Sequence, residues 1–210
     1  METAARLPNL IGLTGTYCAG KNYVGALLEE RGLPVLDVDK LGHRAIEAER
    51  DTILERFGED ILGPEGAIDR RLLGAKVFGN RALLEELQGI VHPAANRMTD
   101  QWIAEQGGKP CVINAALLHR SSAFGRLSAV MLVRAPMLIR LLRARKRDGL
   151  PLGQLLIRFR SQKQFTAQYF SGKADIYVIE NRGYFGFHAA RYRKRMEAQI
   201  NEILSRLGMA

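Results

Sequence analysis

With 210 residues and 47% hydrophobic side chains, the chain can bury a core the size of one α/β domain without disulfides or a structural metal. Its 25% charged residues and ordinary glycine and proline content exclude a collagen-like, low-complexity or disordered polymer. Thirty-one Lys and Arg against 22 Asp and Glu give a formal charge of +9, a surface that attracts polyanions.

Residues 9–13 form a short apolar run that enters a glycine-rich turn over residues 14–20, as a buried first strand feeding a loop would. From Lys21 the pattern becomes helical: Tyr23, Val24, Leu27 and Leu28 recur at helical spacing and stop at Arg31-Gly32. Residues 34–36 read as a second strand that delivers Asp37 and Asp39 to its C-terminal end, where open α/β sheets place ligand-binding groups. Helical spacing follows over residues 41–55, 70–77, 80–91 and 94–106, with Pro93 suited to the first turn of the last of these.

Residues 111–113, 130–133 and 176–179 are continuous apolar runs without alternation, the pattern of parallel strands buried on both faces. Between the last two lies an Arg-rich, mostly helical segment, residues 137–169, broken at residues 149–153 as at the tip of a lid. Only Phe159 interrupts the basic stretch 134–160 as an aromatic, which argues against a nucleic-acid surface and for a small phosphorylated ligand. A final amphipathic helix covers residues 188–207.

Cys18 and Cys111 have no neighbouring Cys or His at ligand spacing, so neither a zinc site nor a disulfide framework is expected. No stretch approaches the roughly 18 apolar residues of a membrane span, and residues 1–8 have no apolar leader segment. The expectation is a soluble cytoplasmic protein with no membrane partner.

Gly15-Thr16-Tyr17-Cys18-Ala19-Gly20-Lys21 matches G-x-x-x-x-G-K, the phosphate-binding loop in which backbone N–H groups and a helix N-terminus surround phosphate oxygens. Strand before and helix after supply the context that the motif needs. Gly20 permits close backbone approach, and Lys21 would sit between the β- and γ-phosphates of ATP, where charge builds during phosphoryl transfer. Ala19 and Tyr23 complete an expected ATP-binding set with Gly15, Cys18, Gly20, Lys21 and Asn22. The residue after the lysine is normally Ser or Thr, a Mg²⁺ ligand, and here it is Asn22, whose amide oxygen is a neutral donor that magnesium accepts. Cys18 stands where such loops often carry glycine, near backbone dipoles that lower a thiol pKa, although a small residue filling the loop is the simpler reading.

Several stretches after the loop keep a definite order. They are Asp37-Val38-Asp39, Arg56-Phe57-Gly58, Ile68-Asp69-Arg70, Val77-Phe78, His92-Pro93, Arg143, Arg147-Asp148-Gly149-Leu150, Gln162 and Asn181-Arg182-Gly183. Over about residues 10–183 this set resembles the dephospho-CoA kinase family.

The resemblance implies an α/β P-loop fold of the nucleoside-monophosphate-kinase type, in three layers. A five-stranded, mostly parallel sheet would carry a helical substrate-binding part and an Arg-rich lid. It implies one kinase domain over residues 1–210, with core at 9–36 and 110–136, substrate part at 40–106, lid at 137–172 and core return at 173–210. The implied reaction is transfer of the ATP γ-phosphate, with Mg²⁺, to the 3′-hydroxyl of 3′-dephospho-CoA, with no obligate protein partner. Asp39 corresponds to the family's base, with Asp37 sharing the substrate side, and a strand-end carboxylate can take a proton from an attacking hydroxyl. The competing reading of Asp39 is a helix N-cap.

Arg143 and Arg147, four apart on one helix face, would close over the transferring group. Asn181 would meet the adenine edge or cap a local turn, and His92 is a substrate-side candidate or a packing residue. The chain departs from the family pattern at Asn22, at Asn96, and at Asn114 and Arg120, where acidic residues are usual. A related nucleoside or nucleotide kinase, or a nucleotide-binding module with weakened catalysis, remains open beside the leading reading.

Overall fold

A computed structural model describes residues 9–161, 174–183 and 189–209. Five strands form one sheet in the order β2-β3-β1-β4-β5, all parallel: β1 Leu10–Gly15, β2 Val35–Asp37, β3 Cys111–Asn114, β4 Ala129–Arg134 and β5 Asp175–Glu180. The central β1 is bonded to β3 in the register Leu10 opposite Cys111 and to β4 with Ile11 opposite Ala129. The apolar runs of β3 and β4 have the expected physical cause, because every residue of β3 and five of six in β4 are buried. The run 176–179 does not, since β5 lies at the sheet edge and only Ile179 in it is buried.

The helices are α1 Lys21–Glu29, α2 Val38–Ala48, α3 Arg50–Phe57, α4 Arg70–Val77, α5 Arg81–Glu105, α6 Met137–Asp148, α7 Leu152–Ser161 and α8 Ala189–Arg206. Among the described residues none is long and apolar enough to cross a membrane.

The chain divides into two compact units, one of residues 1–36 and 106–210 and one of residues 37–105. In the first, Ile11 and Leu13 of β1, Val24, Leu27 and Leu28 of α1, Met131 and Val133 of β4, and Met196 and Ile200 of α8 make one core. This packing fixes α1 behind the strand that feeds the glycine-rich loop. Gly15 allows β1 to lie against β4, since a Cβ there would stand 2.8 Å from the Val133 carbonyl oxygen.

The second unit is helical, with a core of Ile53, Phe57, Ile61, Ile68, Leu73 and Val77. Side-chain caps set helix starts in this unit: Asp69 accepts from Arg71 N–H at 2.7 Å, and Asn80 accepts from Ala82 N–H at 3.1 Å.

Two features differ from the periodicity. The helical spacing over 41–55 is two helices, because Glu49 (φ −103°, ψ 24°) leaves the helical region between α2 and α3. The spacing over 80–91 and 94–106 is a single helix, α5, with Pro93 inside it. Proline forfeits one backbone hydrogen bond, and here Ala94 and Ala95, packed with Ala45, hold the helix through that gap. Gln162, the expected end of the lid, lies outside the described residues.

Candidate active site

The loop between β1 and α1 closes on itself through Ala19 N–H, which donates to the Thr16 carbonyl at 2.8 Å. Two residues take positive φ, Cys18 at 58° and Gly20 at 96°. The first explains why glycine is common at that position, since a side chain there carries a steric cost of roughly 1–2 kcal/mol. Gly20 is the residue preceding α1, and no side chain caps this helix start. An uncapped helix N-terminus opening from a tight loop is the arrangement that accepts phosphate.

The outer side of the loop is held by its carbonyl groups. Arg140 Nε donates to the Tyr17 carbonyl at 2.8 Å, and Arg143 Nη1 donates to those of Cys18 and Ala19 at 3.3 and 3.0 Å. Asn181 Nδ2 also donates to the Ala19 carbonyl, at 2.7 Å. In a trans peptide the carbonyl and the following N–H point in opposite directions. Fixing the Tyr17 and Ala19 carbonyls outward therefore aims the Cys18 and Gly20 N–H groups toward the interior of the loop.

Arg143 and Asn181, expected on the phosphoryl group and at the adenine edge, are thus engaged with the loop. Arg143 Nη2 also donates to Asn181 Oδ1 at 2.6 Å and to the Gly183 carbonyl. Asn181 is 1% exposed, and Tyr192 O–H fills the second lone pair of its amide oxygen at 2.5 Å. Tyr23, one turn into α1, stacks on the Tyr192 ring at 5.6 Å.

Lys21 Nζ donates to Asn22 Oδ1 and to Asn114 Oδ1, both at 3.1 Å, and Asn114 Nδ2 donates to Asn22 Oδ1 at 3.2 Å. Two residues that depart separately from the family pattern are therefore one cluster, joined by the loop lysine. Both side-chain oxygens are neutral donors of the kind a hard cation accepts. Among the described residues no group of three or more His, Cys, Asp and Glu could hold a metal, so a cation here would be carried chiefly by phosphate oxygens. The cluster fits Mg²⁺ on those terms.

The α6 and α7 helices supply basic side chains around Tyr17, only some of which the periodicity singles out. Arg147 lies over the Tyr17 ring at 5.0 Å and pairs with Asp148 at 2.7 Å. Tyr17 O–H donates to the Asp148 carboxylate, and Arg158 bonds the same hydroxyl at 3.3 Å. Arg140 and Arg158 were not singled out in the sequence, and neither were the contacts of Tyr17 and Asp148. Arg140 was legible in principle, lying three residues before Arg143 on the same helical face; the Tyr17 contacts depend on tertiary packing. Burial raises the Cys18 thiol pKa above its ordinary value, while Arg147, Arg140, Arg143 and Arg158 pull it down less strongly.

In the helical unit, Asp37 is the N-cap of α2 and accepts from Lys40 N–H at 3.3 Å. The capping role weighed for Asp39 therefore belongs to Asp37, and Asp39 lies exposed in the first turn. His92 is an exposed residue within α5.

The sequence matches the dephospho-CoA kinase family over residues 9–185. The chain belongs to the dephospho-CoA kinase family. Its relatives include the dephospho-CoA kinase of Treponema denticola, 32% identical over 83% of this chain and 82% of that protein. The dephospho-CoA kinase of Thermus thermophilus is 34% identical over 87% and 88% of the two chains. A solved structure, TT1252 from Thermus thermophilus, superposes with a TM-score of 0.77 at 32% identity and covers 95% of this chain and 98% of that one.

Proposed function

We propose that this chain is an ATP-dependent kinase that transfers the γ-phosphate to the ribose 3′-hydroxyl of 3′-dephospho-CoA, giving CoA and ADP. The observation that carries the reading is the phosphate loop of a family member, with its carbonyls held outward, its N–H groups aimed inward and Lys21 at its mouth. Donors fixed before the substrate arrives stabilise developing charge without reorganisation.

Lys21 bridges the β- and γ-phosphates. Asp39 accepts the proton of the attacking hydroxyl, while Asp37 and His92 line the acceptor side. Arg147, on the exposed side of α6, meets the transferring group, and Arg143 acts by holding the loop. Mg²⁺ bound with ATP would neutralise phosphate oxygens, with Asn22 and Asn114 as its protein-side donors. Neither cysteine is in a disulfide, in keeping with work in the cytoplasm.

A coupled assay of ADP release, with 3′-dephospho-CoA, adenosine and AMP offered separately, tests the reading. Turnover is expected with 3′-dephospho-CoA. Preference for AMP or adenosine would transfer the assignment to another acceptor, and ATP binding without turnover of any acceptor would make the chain a nucleotide-binding module.

A further inference from the structure

Tyr192 lies on α8, far along the chain from the phosphate loop, yet its hydroxyl ends within the loop's outer support. It donates to Asn181 Oδ1 at 2.5 Å, and the same amide group donates from Nδ2 to the Ala19 carbonyl at 2.7 Å. The backbone N–H of Asn181 is bonded to the Arg134 carbonyl at 2.7 Å, so the residue is anchored to the end of β4.

The orientation of an asparagine amide is decided by its partners. Here two donors, Tyr192 O–H and Arg143 Nη2, converge on the oxygen, which forces the NH₂ group toward Ala19. The surrounding backbone is shaped to permit this. A Cβ on Gly20 would collide with Asn181 Nδ2, and one on Gly183 would collide with the Tyr192 ring. Burial of the Tyr192 hydroxyl keeps it protonated, with its pKa above the ordinary tyrosine value.

We propose that Tyr192 is a positioning residue for ATP: through Asn181 it fixes the Ala19 peptide and thereby directs the Gly20 N–H toward the nucleotide phosphates. The last helix is then part of the nucleotide site without touching the nucleotide. Its ring contributes separately by stacking on Tyr23, within the helix whose N-terminus receives the phosphates. This inference rests on the ATP-binding part of the proposed function and not on the identity of the acceptor.

Tyr192→Phe preserves the ring stack and removes only the hydroxyl. Titration of ATP into the variant by calorimetry should show a Kd raised roughly three- to tenfold, as for loss of one hydrogen bond to a buried acceptor. The KM for 3′-dephospho-CoA should hold, and the Tm of the ligand-free protein should fall by no more than about 3 °C. Gly183→Ala, which displaces the Tyr192 ring while leaving its hydroxyl in place chemically, should raise the ATP Kd in the same direction. An unchanged ATP Kd in Tyr192→Phe overturns the proposal whatever the Tm does. Equal weakening of ATP and acceptor overturns it too, because general loosening of the fold would produce that pattern. A wild type that binds ATP but turns over no 3′-dephospho-CoA would sink the acceptor assignment alone, and the ATP titration would still decide the role of Tyr192.

Discussion

Asn114 Nδ2 donates to Asn22 Oδ1 at 3.2 Å, and Lys21 Nζ lies 3.1 Å from the amide oxygen of each. A hydroxyl at position 22 and a carboxylate at position 114 would be the usual metal-binding pair of a phosphate-loop enzyme. Changing one alone breaks the amide pair without completing the other arrangement. Asn114→Asp alone sets a carboxylate against Lys21 and should weaken ATP binding when metal is absent, since the lysine then prefers the protein. Asn22→Ser alone removes the shared acceptor. The double variant should lower the Mg²⁺ concentration for half-maximal ATP binding by about tenfold, well beyond the sum of the single effects, as expected for residues in contact. Mg²⁺ titrations of ATP binding to all four proteins measure this, and strict additivity would show that the two asparagines act independently.

Gly20 combines a φ of 96° with a space already filled by the Asn181 amide. Gly20→Ala must move either the loop or Asn181, and both release the Ala19 carbonyl. A stability loss of about 2–3 kcal/mol follows from the backbone cost and the lost hydrogen bond together. The Tm should fall by roughly 5–10 °C, and the ATP Kd should rise by more than about tenfold. Near-normal ATP binding in this variant would mean that the loop tolerates a different path.

The phosphate loop and the parallel sheet were legible because each has a local signal. The Gly15 to Lys21 spacing marks the loop, and unbroken apolar runs such as residues 130–133 mark strands covered on both faces. The continuity of α5 was not legible, because Pro93 is a local stop signal that the packing of Ala94 and Ala95 overrides. The roles of Asn181 and Arg143 were half visible: the sequence marked both residues, but their direction toward the Cys18 and Ala19 carbonyls is set by contacts 38 to 162 residues apart. Asn22 and Asn114 likewise stood out singly, and only the adjacency of β1 and β3 makes them a pair.

Asp37 and Asp39 are separable by stability and rate. Asp37 caps α2, so Asp37→Ala should cost about 1 kcal/mol, a Tm decrease of roughly 2–4 °C. Asp39 stands in the first turn of α2, and Asp39→Asn keeps its shape while removing its basicity. It should lower kcat more than about 100-fold with ATP affinity retained and a Tm within about 2 °C of wild type. Thermal melts and steady-state rates on the two variants test this together. An Asp39→Asn protein that melts early yet keeps its rate would withdraw the base assignment.

The Cys18 thiol gives a readout of charge around the loop. The reactive species is the thiolate, and burial disfavours it while four arginines favour it, with burial the larger effect. Raising a thiol pKa reduces the thiolate fraction at every pH below that value. Alkylation of Cys18 by iodoacetamide should therefore be slower at pH 7–8 than that of a small free thiol, and should still be climbing above the ordinary thiol pKa of 9.0. Arg147 is the largest opposing charge, so Arg147→Ala should slow the reaction further at a given pH, whereas simple opening of the packing would speed it. Cys111 is buried with its own thiol pKa raised, so peptide mapping of the modified protein is needed to assign the reaction to Cys18. Rapid alkylation that plateaus below pH 8 would show the arginines dominating burial, and would make Cys18 an activated thiol in the phosphate loop.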